Sequence, residues 1–276
     1  MLEKNRGGPV KDSTSSGSAN LCRFKGKFWQ GRFHGVTTKN VPSAAIPPKL
    51  NRFFPQHLPA PGGDIWVSLH QTHTTRVISI DAALALPPEE EGCDGAVTDN
   101  PRVVLTVQTA DCVPIFIYDP RRPAIGLLHA GWRGAQGGIL ENGIDLMHRR
   151  YGAEPSDLQV WLGPAIGPCC YEVGPEVAEA FQARQQAGAV VGGNWLVEGE
   201  REGKWQLDLH GYLKAVLVHR GVSVHRIERM SDCTACRSDQ FFSFRARPSE
   251  KGRMLSFLGL SAGNPVVDRI GRFPSL

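Results

Sequence analysis

The chain has 276 residues, 41% of them hydrophobic and 21% charged, with a formal net charge of +4. This is the composition of a globular protein able to bury a sizeable core, and the small charge, with no long Lys/Arg run, argues against nucleic acid as a partner. No run of roughly 18 apolar residues is present to cross a membrane as a helix, and seven cysteines, an odd number, suit thiols in a reducing, cytoplasmic compartment better than a disulfide framework.

Met1 to Asn20 is polar and rich in Gly and Ser. It lacks the apolar core of a signal peptide and reads as a disordered leader, with residues 21–276 as one domain. Arg23 to Thr38 sets Phe24, Phe28 and Phe33 among polar residues and reads as strands, whereas the Pro-rich segment Asn40 to Pro61 reads as a loop. Ile65 to Leu69 is a strand that delivers His70-Gln71-Thr72-His73 at its end. Pro87 to Asp94, with Glu89-Glu90-Glu91, reads as a solvated acidic loop.

Val103 to Gln108, Val113 to Tyr118 and Ala124 to His129 are apolar runs with strand character. Asp119-Pro120-Arg121-Arg122-Pro123 has turn chemistry. A hairpin centred between Pro120 and Arg121 sets Cys112 directly opposite His129 on one face, with Cβ atoms about 5 Å apart. Pro114 inside the first strand of this hairpin implies an edge or a bulge.

Trp132 to Tyr151 reads as one helix, with Ile139, Leu140, Ile144 and Met147 at helical spacing. Gly134, Gly137, Gly138 and Gly143 each cost it up to about 1 kcal/mol, which implies either tight helix–sheet packing or close approach of a ligand. A helix starting just after His129 would also favour an anion near its N-terminus, with Arg133 as the nearest cation. Leu158 to Leu162 is a strand leading into the Gly/Pro loop Gly163 to Cys170. Pro175 to Ala187 is a helix with Pro at its start. Asp208 caps a further helix that ends at Gly221, and Val222 to Ile227 and Met254 to Leu260 are strands. Hairpins mixed with occasional helices argue an α+β fold with mixed or antiparallel sheets.

His73, Cys112 and His129 supply two imidazoles and one thiol. Three such ligands leave a fourth coordination position open, the pattern of a catalytic rather than a structural zinc site. His70, three residues before His73, competes for the third place or faces substrate. Asp111 beside Cys112 points to the other face of a strand and reads as a structural hydrogen-bonding residue. Cys233 and Cys236 have zinc-like C-x-x-C spacing, but closing that site needs two more ligands. Adjacent Cys169 and Cys170 are an awkward pair to supply them, so these thiols read as core thiols or as neighbours of the main site rather than as a separate structural zinc site.

Gln71-Thr72-His73, Cys93-Asp94-Gly95-Ala96-Val97-Thr98-Asp99, Thr109-Ala110-Asp111-Cys112-Val113-Pro114 and His129-Ala130-Gly131-Trp132-Arg133-Gly134 occur in order. They are followed by Gly163 to Val173, Leu207-Asp208-Leu209, Cys233-Thr234-Ala235-Cys236 and Phe241-Phe242-Ser243-Phe244-Arg245. From about residue 65 onward the chain resembles the multicopper polyphenol oxidase/laccase-domain family, also described as YfiH/YlmD-like purine nucleoside phosphorylases. The resemblance implies a compact α+β fold similar to a toxin deamidase domain with a Cys–His pair, and zinc held by His73, Cys112 and His129. It implies phosphorolysis of adenosine, inosine and methylthioadenosine, with adenosine deamination alongside.

Nucleoside and phosphate are then the expected partners of a monomer or weak homodimer, with no nucleic acid and no membrane. Arg133, Ser243, Arg245, His70 and Lys39 are the candidate substrate contacts. Lys39 stands in Thr37-Thr38-Lys39-Asn40, where the family usually carries Thr-Arg-x-Gly-Gly, and offers a point charge in place of a planar fork. Alternatives are a copper polyphenol oxidase and a Cys112–His129 amide hydrolase acting on peptidoglycan precursors. The copper reading is disfavoured, because the chain has no His-x-His pair. The usual zinc-deaminase signature is also missing, since no His-x-Glu occurs, which leaves the acid/base residue unassigned.

Overall fold

The apolar runs sort into two stacked sheets and a helical layer. A computed structural model describes residues 21–22, 33–39, 56–59, 65–80 and 91–260. The expected leader, most of the Pro-rich loop and residues 81–90 lie outside these. In chain order the strands are β1 (Leu21–Cys22), β2 (Phe33–Thr37), β3 (Gln56–Pro59), β4 (Ile65–Ser68), β5 (Val77–Ser79), β6 (Gly95–Thr98), β7 (Val103–Thr109), β8 (Val113–Asp119) and β9 (Ala124–Ala130). Helices α1 (Trp132–Gly137) and α2 (Ile139–Tyr151) follow, then β10 (Gln159–Leu162), β11 (Glu172–Val173), α3 (Pro175–Gln186), β12 (Leu196–Glu198) and β13 (Trp205–Leu207). The chain continues with α4 (Leu209–His219), β14 (Ile227–Arg229) and β15 (Met254–Gly259).

One sheet has the order β1-β2-β15-β7-β4-β3 and the second β14-β10-β8-β9-β6-β5; a small third sheet is β11-β13-β12. Most pairs are antiparallel, but β4 with β7, β5 with β6 and β10 with β14 are parallel, so the fold is α+β with mixed sheets. The two faces of the second sheet bury different partners. Phe116, Tyr118, Ile125 and Leu127 pack with Val67, Leu105 and Leu258 of the first sheet. Ile115, Ile117 and Leu128 pack against α2 and α4 through Ile144, Met147, Leu213 and Val216. Burial on both faces explains why β8 is a continuous apolar run rather than an alternating one, and each such side chain contributes about 1.5–3 kcal/mol.

The hairpin register differs from expectation by two residues. Asp119 pairs with Ala124 and Pro114 with His129, so the loop is centred between Arg121 and Arg122, one residue later than expected, and Cys112 is not directly opposite His129. The Asp119 carboxylate accepts from the N–H groups of Arg121 and Arg122 at 2.8 and 3.2 Å, which holds the loop in this register. A two-residue shift preserves the face of every side chain, so Cys112 and His129 stay on the same side. Nor does Pro114 mark an edge or a bulge. β8 is an interior strand, and its pairing with β9 is continuous. Pro114 is tolerated because β10 pairs only from Ile115 onward, so the missing N–H falls past the end of that neighbour.

The single helix expected from Trp132 is broken at Gly138, whose φ of 97° ends α1 and starts α2. Its other glycines serve packing. A Cβ at Gly143 would meet Leu128 at 2.8 Å and one at Gly137 would meet Thr75 at 2.6 Å. Asp208 caps α4 as expected, accepting from Gly211 N–H at 2.9 Å. The segment expected as a strand from Val222 instead turns through a 3₁₀ helix at Val224–Arg226 before β14.

Candidate metal centre

Strand directions bring three distant segments to one end of the stacked sheets. β4 runs parallel to β7, so His70–His73 and Ala110–Cys112 leave their sheet at the same end. β9 runs antiparallel to β8, so His129 near the end of β9 lies beside the start of β8 and hence beside Cys112. One donor atom each from His73, Cys112 and His129 lies within 4.8 Å of the other two. The Cys112 Sγ is 3.9 Å from His73 Nε2, and the two imidazoles meet edge to face with centroids 4.9 Å apart. Gly131 makes this approach possible, because a Cβ there would stand 2.9 Å from the His73 ring and 3.0 Å from Cys112 Sγ.

The group that organises the site is Asp94, which composition placed in a solvated acidic loop. It is fully buried. Its carboxylate accepts from the N–H groups of Thr72, His73 and Thr74, from the Thr74 hydroxyl, and from His129 Nδ1 at 2.7 Å. Binding Nδ1 leaves Nε2 of His129 as the free donor, the usual arrangement of a metal-ligating histidine backed by a carboxylate. The signal in the sequence was that Asp94 stands between Cys93 and the apolar run Gly95-Ala96-Val97, not among its acidic neighbours.

His73 and Asp111 are the two non-glycine residues with positive φ among the described residues, at 62° and 83°. Such conformations cost of order 1–3 kcal/mol and persist only where the surroundings enforce them. Asp94 holds His73. Asp111 accepts from the Thr234 hydroxyl at 2.6 Å and from Arg245 N–H at 2.7 Å, while its carbonyl accepts from Ile166 N–H. These bonds give Asp111 a structural hydrogen-bonding role as expected, but it lies in the turn between β7 and β8 and lines the cavity, rather than facing away from the site on a strand.

Burial opposes ionisation of both members of the central pair, and their mutual attraction outweighs it. The Cys112 thiol is lowered to about 6 by the His129 charge and by hydrogen bonds from His129 and His73. His129 is raised to about 9 by the Cys112 thiolate and by Asp94, and Asp94 is held below the usual carboxylate range by its bonds to His129 and Thr74 against the effect of burial. Neighbouring Cys93 is pushed up to about 12 by burial and by Asp94, so it is an inert core thiol.

The three donors line a cavity of about 360 Å³. Gln71, Gln108, Ile166, Tyr171, Leu209, Phe244, Arg245 and Arg253 complete its wall, together with Ala110 and Asp111. Gln71 and Gln108 exchange two hydrogen bonds, at 2.8 and 2.7 Å, which clip the His70–His73 segment to the end of β7. Phe244 is 59% exposed, and Arg245 stacks 5.3 Å from the Tyr171 ring while donating to the carbonyls of Cys170 and Glu172. Burial raises the Tyr171 phenol well above its ordinary value, so it stays protonated.

Of the candidate substrate contacts, Arg245 lines the cavity; Lys39, His70, Arg133 and Ser243 do not. Lys39 is ion-paired with Glu250 and lies over the Phe242 ring. Arg133 is exposed and covers Trp132, and Ser243 is buried, its hydroxyl accepting from Ala246 N–H in a turn. Gln71, Tyr171, Phe244 and Arg253 are cavity residues that sequence reasoning missed. Phe244 stands inside the Phe241 to Arg245 motif, between the two residues chosen from it, whereas Arg253 lies in a basic stretch with no distinguishing pattern.

Fold and site together define an α+β protein with an open His–Cys–His centre at the seam of two sheets. Residues 50–261 match the family described as multi-copper polyphenol oxidoreductase laccase, and the chain belongs to that family. It is 35% identical over 204 residues to a protein named purine nucleoside phosphorylase YlmD of Geobacillus stearothermophilus, covering 70% of this chain and 72% of that one. It is 37% identical over 204 residues to adenosine deaminase RL5 of an unknown prokaryotic organism, covering 71% and 75%. The crystal structure of YlmD from Geobacillus stearothermophilus superposes with a TM-score of 0.72 at 29% identity, over 87% of this chain and 96% of that one. The structure of the Bacillus licheniformis protein YfiH gives 0.71 at 29% identity, over 88% and 97%.

Proposed function

We propose that the protein is a zinc-dependent purine nucleoside phosphorylase acting on adenosine, inosine and methylthioadenosine, with adenosine deamination as a second activity. The observation that carries this reading is the convergence of His73, Cys112 and His129 on one wall of the cavity. The donor set fits zinc, which takes thiolate and imidazole together, and three protein ligands are the catalytic pattern. Asp94 on His129 Nδ1 and the bare Cα of Gly131 support that fit. When bound, zinc supplies a Lewis acid for a substrate oxygen or for water.

The remaining work falls to this chain's side chains. Phe244 and Tyr171 offer aromatic faces to a purine. Arg245 and Arg253 place positive charge on the cavity wall for phosphate. In phosphorolysis a phosphate oxygen bonds to the ribose C1′ while the C1′–N bond breaks and its electron pair leaves with the purine, which takes a proton. The protonated Tyr171 phenol is one proton donor on that wall.

A second reading is favoured by one specific feature, the Cys112 thiolate beside a charged His129, which is the arrangement of an activated cysteine nucleophile. Metal content and product analysis separate the two. The purified protein is incubated with adenosine and inosine, with and without phosphate, beside Cys112→Ala, and the bases and inosine are followed by chromatography. The proposal expects base release that requires phosphate and vanishes in the variant. Absence of product from the parent protein, or equal product from the variant, would refute it. Copper loading in vitro decides nothing, because copper(II) outcompetes zinc at most nitrogen and sulfur sites.

A further inference from the structure

A second group of thiols lies outside the cavity. One sulfur each from Cys169, Cys170, Cys233 and Cys236 falls within 4.8 Å of all the others. Cys236 Sγ is 3.5 Å from Cys169 Sγ and 3.4 Å from Cys170 Sγ. A tetrahedral zinc with Zn–S bonds of about 2.3 Å requires its sulfurs to stand about 3.8 Å apart, so the four side chains are already near that spacing. We infer that these four cysteines form a closed, structural zinc site distinct from the His–Cys–His centre.

The local backbone supports four-thiolate ligation. In an extended strand adjacent side chains point to opposite faces, which is why neighbouring cysteines look unsuitable as a ligand pair. Here the chain turns tightly, and the N–H groups of both Cys170 and Tyr171 converge on the Gly167 carbonyl. That turn brings Cys169 and Cys170 to the same side. Gly167 N–H donates to Cys233 Sγ at 3.1 Å, stabilising charge on that sulfur. A Cβ at Gly167 would press on the Cys233 Cβ at 3.2 Å and the Cys169 Sγ at 3.4 Å. Cys233 is buried while Cys169 and Cys236 are exposed, so an ion can enter from the rim.

The site would brace the wall of the first one. Its two segments are otherwise joined by the bridge between Ala165 and Cys233 and by the hydrogen bond from Thr234 N–H to the Ala165 carbonyl. Ile166 and Thr234, beside these cysteines, both bond to Asp111, and Arg245 donates to the Cys170 carbonyl. A metal at the four thiols therefore fixes the loop that carries Tyr171 and holds Asp111 next to Cys112.

The test is metal stoichiometry on full-length protein purified under reducing conditions. Two zinc ions per chain are expected in the parent, one in Cys112→Ala, and one in the Cys169→Ser/Cys236→Ser double variant. Should the double variant not fold, cobalt replacement in Cys112→Ala keeps the question decidable. That protein should retain about four-fifths of the sulfur-to-cobalt charge-transfer intensity of the parent, since four of five thiolates remain. One zinc in the parent and none in Cys112→Ala would overturn the inference. So would a metal-free cluster whose mass is lower by two hydrogens per disulfide.

Discussion

The two clusters use the same element differently. In the cavity one sulfur stands with two imidazoles, and each donor is held by something other than the cluster itself: Asp94 grips His129 and the His73 backbone, and Asp111 anchors the turn before Cys112. At the rim four sulfurs come from two tight turns and lie against each other, and backbone N–H groups, Gly167 among them, support the Cys233 sulfur. The first arrangement keeps its shape without metal and leaves a coordination position free. The second brings four thiols within 4.8 Å of one another, where the inferred ion would be closed off by all four. A preorganised open site suits catalysis, and a closed thiolate site suits folding.

The largest expected effect separates the two regions. His129→Ala should abolish turnover and remove one zinc per chain, leaving the thiol cluster loaded; metal analysis beside product assays checks it. Next, Asp94→Asn should weaken metal binding at the cavity about 10- to 100-fold by loosening His129. Because the same carboxylate also receives three backbone N–H groups, the upper end of that range is expected in competition titrations with a chelator. Gly131→Ala should cost less, about tenfold in metal affinity, since the added methyl displaces His73 and Cys112 rather than removing a donor.

The pH at which the thiols become reactive should differ between the regions. In metal-free protein Cys112 is a thiolate down to about pH 6, so alkylation should stay fast between pH 7 and 6 and slow only as pH falls below that value. Cys170 is pushed up to about 12 by burial and by its hydrogen bond with Cys236, and Cys169 is also raised, so both should react only as the solution becomes strongly alkaline. Peptide mapping of labelled cysteines against pH distinguishes them. The smallest effect belongs to Lys39→Ala, which breaks a partly exposed ion pair with Glu250 outside the cavity. It should leave denaturant melts little changed and change the KM for phosphate less than twofold.

Much of the fold was legible because periodicity is a local property. The strands Val103–Thr109, Val113–Asp119 and Ala124–Ala130 and the Asp208 cap follow from apolar runs and turn chemistry. The hairpin register was misjudged because Asp119 closes the loop through its side chain, which a count of turn residues does not capture. The faces survived because the error was an even number of residues. Asp94 was hidden by three glutamates just before it, since loop composition does not reveal that one carboxylate of the run turns inward. The four-thiol cluster was hidden for a similar reason: Cys169 and Cys170 look incompatible until the backbone is known to turn at Gly167. Lys39 and Ser243 carried the right chemistry in the right motifs but point to other partners.

The most direct test of the account is a zinc titration of chelator-stripped protein with phosphate-dependent base release from inosine as the readout. The account predicts no activity without metal and recovery that saturates only when the His73–Cys112–His129 site is filled. The Cys112→Ala variant should stay inactive at every zinc concentration. Full phosphorolysis by the stripped protein, or recovery in that variant, would contradict it.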